Sequence, residues 1–238
     1  LNQRLYNELD LRGSNKSITW KYLPKPKVER YYPSNSGKTF LVSSHIEEAL
    51  RRKKKRKFIY MSPEFAIDQT LQKLRNNKRW MRYFTGIDVS DKAFKESEKG
   101  SAQQWWDEVI LPQLRDAEEG TTLIMDDNKD SEVWRQSRHF MTKYMRTGRH
   151  RKVGLVSIQH NVRGGQDTAQ AYSSVKTIIL FPRAGGKGKQ VDFLHELTGV
   201  TRRRAHELVE IFAESGRWMS IHAWSPVVLY GPKYAVYV

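Results

Sequence analysis

Apolar residues fall along the chain in two rhythms, short unbroken runs and helix-spaced sets, and the two alternate. Residues 28–32 read as a strand, although Glu29 and Arg30 make it polar for one buried on both faces. From 39 to 50, apolar side chains at 40, 41, 46, 49 and 50 give one face of a helix. Residues 57–62 (KFIYMS) predict a second strand, stopped by Pro63. The stretch 64–100 is mixed and highly charged and reads as helix plus variable loop. Trp105, Trp106, Val109, Ile110 and Leu114 give 104–118 a helical pattern despite Pro112, and Gly120 closes it. Then follow a strand at 121–125 (TTLIM), a helix at 131–147 and strands at 152–158 and 175–181. Strands alternating with helices predict an α/β fold with a mainly parallel central sheet flanked by helices.

Outside that alternation the pattern changes. Residues 1–27 are polar apart from a strand-like patch at 18–22, and Pro24 and Pro26 follow it. They read as an N-terminal arm or edge strand, in which Trp20 and Tyr22 are candidates to stack on a base or to pack. After a basic, Gly-rich loop at 185–189, two short helices (191–197 and 202–212) and a hairpin around Pro226 predict a small C-terminal extension. The expected division is an arm at 1–27, a core at 28–185 and an extension at 186–238.

Charge narrows the partners. The 238 residues carry 42 Lys+Arg against 26 Asp+Glu, a net +16, which favours a polyanion, nucleic acid before membrane. The run 51–57 (RRKKKRK) complements a helix C-terminus, with DNA contact or nuclear targeting as the alternatives. The chain has no Cys, which excludes disulfides, thiol catalysis and Cys-based metal sites. No apolar run approaches the ~18 residues of a membrane span, and no secretory leader is expected from the opening residues.

Chemistry concentrates at three strand ends. Residues 32–39 (YPSNSGKT) match a phosphate-binding loop, Gly-x-x-x-x-Gly-Lys-[Ser/Thr], except that Tyr32 replaces the first Gly. Asn35, which tolerates left-handed backbone, compensates in part. Backbone N–H groups of Ser34, Asn35, Ser36, Gly37 and Lys38 would cradle phosphate oxygens at a helix N-terminus. Lys38 would neutralise the β/γ charge of ATP, and the Thr39 hydroxyl would ligate Mg²⁺. Asp126 would hold the same Mg²⁺, since oxygen ligands suit a hard cation. Asp127 would orient or deprotonate the attacking water, and Gln159 would sense the γ-phosphate. The plainer alternatives are a helix cap for the acidic pair and a polar loop residue for Gln159.

The set PSNSGKT, TTLIMDD, TGRHRKVGLVSIQHN and KTIILFPR resembles the FtsK–HerA-type genome-packaging ATPases of double-stranded DNA viruses, over roughly residues 28–185. The resemblance implies a P-loop NTPase fold and an ATP-driven double-stranded DNA translocase that loads a genome into a capsid. It also implies a homo-oligomeric ring, pentamer or hexamer, with capsid vertex proteins as possible partners. The place of action would be the virion or the host compartment of assembly, cytoplasm or nucleus. Such rings complete the site with an Arg from a neighbouring subunit. Arg149 fits best, with Arg163 and Arg183 as alternatives. Lys187, Lys189, Arg202, Arg203 and Arg204 are candidate DNA contacts. Other readings are a replication helicase or nucleotide kinase, and a non-catalytic DNA-binding protein with a degenerate loop.

Overall fold

The computed structural model describes residues 18–19, 37–52, 56–115, 117, 119–147, 152–158, 177–183, 186–222, 228–231 and 233–237. They fall into two compact units, Gly37–Ser174 and a second made of Leu1–Ser36 with Val175–Val238. The second unit contributes the first described strand, β1 (Ile18–Thr19).

The Gly37–Ser174 unit is a mixed α/β layer structure. Helix α1 (Lys38–Arg51) leads to β2 (Phe58–Ser62), α2 (Gln69–Arg75) and β3 (Phe84–Asp88). Next come α3 (Asp91–Glu96) and α4 (Ala102–Trp105), which runs through a π turn (Trp106–Ile110) into α5 (Leu111–Arg115). Strand β4 (Thr122–Asp126), α6 (Trp134–Thr147) and β5 (Gly154–Ile158) follow. The four strands lie in the order β3-β2-β4-β5 and every pairing is parallel.

Alternation along the strands divides the core in two. Ile59, Met61, Leu123 and Met125 pack with Trp105, Trp106, Ile110, Leu114, Phe140 and Met141. Phe58, Tyr60, Phe84, Ile124 and Ile158 pack with Ile46, Leu50, Leu71 and Leu74 of α1 and α2. All five positions of β2 are buried, as expected of a central parallel strand covered on both faces.

Two local features stand out against the pattern. Strand β3 lies inside the stretch read as helix plus loop, because Gly86 interrupts its apolar run. That glycine makes room for a ring: a Cβ there would stand 1.7 Å from Phe65 Cζ. Phe65 is buried and stacks on Phe84 at 6.2 Å between centroids. Gly86→Ala is therefore expected to destabilise the fold by at least ~2 kcal/mol, read as a lower urea midpoint. Pro112 does not break its helix, because the Leu111 N–H reaches back five residues to Trp106 O in the π turn. Gln113 Nε2 then donates to Val109 O at 2.8 Å, occupying a carbonyl near the proline.

Among the described residues, the second unit is an antiparallel sheet with two helices. Strands β6 (Thr177–Leu180), β7 (Met219–His222), β8 (Val228–Tyr230) and β9 (Tyr234–Tyr237) form a meander that β1 extends, in the order β1-β9-β8-β7-β6. The expected hairpin is present as β7–β8. Strand β6, expected as a fifth parallel strand, instead pairs antiparallel with β7. Its exposure alternates, with Ile179 43% exposed between buried Ile178 and Leu180. Helices α7 (Lys187–Thr198) and α8 (Arg202–Ser215) are joined by a three-residue turn that opens on left-handed Gly199. Helix α7 begins inside the stretch read as a basic loop, because Gly186 takes a left-handed conformation (φ 64°) just before it. No described helix is long and apolar enough to cross a membrane.

Candidate active site

Gly37 starts the site. It adopts φ 80°, ψ 11°, a left-handed conformation that costs glycine least, and its carbonyl accepts the first turn of α1 from Leu41 N at 3.0 Å. Lys38 and Thr39 therefore occupy the opening turn of α1. The first turn carries no acidic residue and no side chain among the described residues caps it, which leaves the positive end of the helix dipole uncompensated by protein carboxylates of that turn. Thr39 stands on the stripe continued by Ser43, Ile46 and Leu50, which faces the sheet.

Strand periodicity brings Asp126 to the same place. Residues 124 and 126 share the face of β4 that α1 covers, and Asp126 ends the strand. Thr39 Oγ1 donates to Asp126 Oδ2 at 3.2 Å. The same oxygen accepts from Tyr60 Oη, at 2.5 Å, across the β2–β4 pairing. Asp127 follows in left-handed backbone (φ 48°), and its N–H donates to Ile158 O at 3.2 Å. That bond ties the acidic pair to the last residue of β5, directly before Gln159. Asn128 is buried, and its side-chain oxygen and nitrogen have no partner among the described residues.

The charges are strongly coupled to burial. Burial pushes the Asp126 carboxyl above the ordinary range, and nearby Asp127 adds to the effect. Hydrogen bonds from Tyr60 and Thr39 and the charge of Lys38 oppose it. Burial lowers the Lys38 ammonium, against the pull of Asp127 and Asp126. Burial drives the Tyr60 phenol far above its ordinary value, reinforced by Asp126, so it stays a hydrogen-bond donor. A half-buried cation disfavoured by desolvation gains from an arriving polyanion, and two hard oxygens within hydrogen-bond distance suit a divalent cation.

Of the expected site residues, Gly37, Lys38, Thr39, Asp126 and Asp127 come together. Ser34, Asn35, Ser36, Arg149 and Gln159 lie outside the described residues, as do Trp20, Tyr22, Tyr32 and Arg163. Arg183 belongs to the second unit, where its Nε donates to Ala213 O at 2.6 Å. Tyr60 was not among the expected residues. Its only signal was a phenol within an otherwise apolar strand, a group that requires a partner when buried.

The expected DNA contacts of the second unit are mostly matched by acids. Lys187 pairs with Glu210 at 2.7 Å, Arg202 with Asp192 at 2.5 Å, and Arg203 and Arg204 with Glu207 at 3.6 and 3.1 Å. Comparison with protein-family models, with curated proteins and with solved structures returned no match to this chain.

Proposed function

We propose that the chain is a Mg²⁺-dependent ATPase that moves double-stranded DNA and packages a viral genome, acting as a ring of identical subunits. The observation that carries the nucleotide part is the meeting of Thr39 and Asp126, 87 residues apart in sequence, at a helix N-terminus that also bears Lys38. The packaging part rests on the resemblance of the motif set and on the net charge of +16.

Each residue has a task in that reading. The start of α1 receives the phosphates, and Lys38 neutralises their terminal charge. Thr39 and Asp126 would hold Mg²⁺, which when bound offsets charge on the phosphates and organises them. Asp127 orients or deprotonates the attacking water. Gln159 contacts the γ-phosphate, and Arg149 enters the site of a neighbouring subunit, stabilising charge on the transferring group.

ATP turnover with and without duplex DNA tests the reading. Lys38→Ala is expected to reduce turnover by at least ~100-fold, since removal of a preorganised charge contact commonly costs that much. DNA is expected to stimulate the wild type, which separates a translocase from a nucleotide kinase. Background turnover in the wild type itself would favour the degenerate-loop reading.

A further inference from the structure

We infer that the N-terminal edge of the parallel sheet is a second working surface, which binds the phosphate backbone of nucleic acid without reading sequence. This edge is opposite the strand ends that carry Asp126. Phe58 and Phe84 open β2 and β3 side by side, and Phe58 N donates to Tyr83 O at 2.7 Å. The residues just before both strands therefore share one edge, and the C-terminal end of α2 leads directly into it through residues 76–83.

The sequence there is QKLRNNKRWMRYF, 72–84, with Lys73, Arg75, Lys78, Arg79 and Arg82 and no acidic residue. All five cations are exposed. Arg56 and Lys57, at the start of β2, are exposed beside them. Arg75, Lys78, Arg79 and Arg82 have no carboxylate within ion-pair distance among the described residues, unlike the arginines of α8. The Arg75 guanidinium lies 6.0 Å from the centre of the Phe65 ring, and that of Arg82 lies 5.0 Å from Tyr83.

The backbone that presents these charges is held in place. Trp80 N donates to Asn77 O at 2.9 Å, Tyr83 N to Trp80 O at 2.7 Å, and Arg79 N to Asn77 Oδ1 at 3.1 Å. Trp80 and Tyr83 pack against the core beneath α1 and α2. A fixed turn offering guanidinium forks and a lysine suits a phosphate chain. A lipid surface would require an apolar face to insert, and this turn exposes a single large apolar side chain, Met81. The inference deepens the proposed function by locating the polymer contact, and it rests on that reading for the polymer being duplex DNA. Its test needs no ATP.

The experiment compares the full chain with an Arg75→Ser/Lys78→Ser/Arg79→Ser/Arg82→Ser variant. Anisotropy of a labelled mixed-sequence duplex is followed over a range of salt, without nucleotide. The wild type is expected to bind with steep salt dependence. In the variant, affinity is expected to fall at least ~10-fold and the slope of log K against log salt to flatten by about 3.6, near 0.9 for each of the four lost phosphate contacts. Single Arg79→Ser and Lys78→Ser variants are each expected to flatten it by about 1, which keeps the test valid if the quadruple variant melts early. Equal affinity and slope in folded variant and wild type would overturn the inference. So would a larger loss from Arg202→Ser/Arg203→Ser/Arg204→Ser, or wild type captured by anionic phosphatidylserine vesicles and not by DNA. Absence of ATP turnover with DNA binding lost in the variant would remove the nucleotide reading and leave this surface standing. Turnover stimulated by DNA to the same degree in the variant would do the reverse.

Discussion

Asp126→Asn is expected to reduce ATP turnover to background while raising the melting temperature at neutral and alkaline pH. The two effects have one origin. Asp126 ends a central strand at 7% exposure, and burial raises its pKa above the ordinary carboxylate value despite bonds from Tyr60 and Thr39. A carboxyl that binds its proton more tightly in the folded state makes stability fall as pH rises from the unfolded value through the folded one. Above that window the full cost of the buried charge is present; below it the cost is gone. Asparagine keeps an acceptor for both hydroxyls and carries no charge. The gain is expected to be present at pH 8, read at roughly 2–4 °C per kcal/mol for a chain of this size, and to disappear as pH falls to the unfolded carboxylate range, about pH 4. Thermal melts of both proteins across pH measure it. A lower melting temperature for the variant at pH 8 would show that the carboxylate is a net stabiliser and reverse the argument.

Tyr60→Phe is expected to produce the largest loss of stability from removing one atom in the site. The Tyr60 side chain is fully buried, and its hydroxyl donates to Asp126 Oδ2. A hydrogen bond to a charged group contributes about 1.5–3 kcal/mol, more than a neutral one. Phenylalanine fits the same space and leaves Asp126 with Thr39 as its remaining hydroxyl donor among the described residues. Because the Tyr60 bond favours the ionised carboxylate, its loss raises the Asp126 pKa further. The destabilisation is therefore fullest where Asp126 is ionised in the wild type and shrinks as pH falls through its folded pKa. In the Asp126→Asn background the same substitution is expected to cost about 1 kcal/mol or less. Urea denaturation of the four proteins of this cycle supplies the coupling energy. Equal costs of Tyr60→Phe in both backgrounds would show that the phenol acts only by packing.

Much of the site was legible because it depends on periodicities that sequence carries. A Gly-Lys-Thr at a helix start and an Asp-Asp at the end of an apolar strand each have a fixed orientation once their elements form. Thr39 begins the sheet-facing stripe of α1, and Asp126 shares the parity of Ile124. Tyr60 was hidden because its role depends on which strand lies beside β4, a matter of strand order that local pattern does not encode. Gly86 concealed β3 for a different reason: its lack of a side chain answers Phe65, 21 positions earlier. The apolar run at 175–181 suggested a parallel strand buried on both faces, but such a run does not specify the direction of its partners. Paired with β7, it became one strand of an antiparallel meander.

The two-sided burial of β2 also bears on how the site can open. Strands β2 and β4 are the inner strands of the sheet, and their buried side chains divide between two cores. Amide protons of such strands exchange with solvent mainly when a whole cooperative unit unfolds, whereas edge strands and helix ends fray at lower free energy. Protection at Tyr60 and Met125 is thus expected to match global stability, and protection in the first turn of α1 to fall short of it. Asp126 and Tyr60 then form the stationary wall of the site. Among the described residues of the site, movement that admits or releases a ligand is expected at the opening turn of α1, where Lys38 and Thr39 stand.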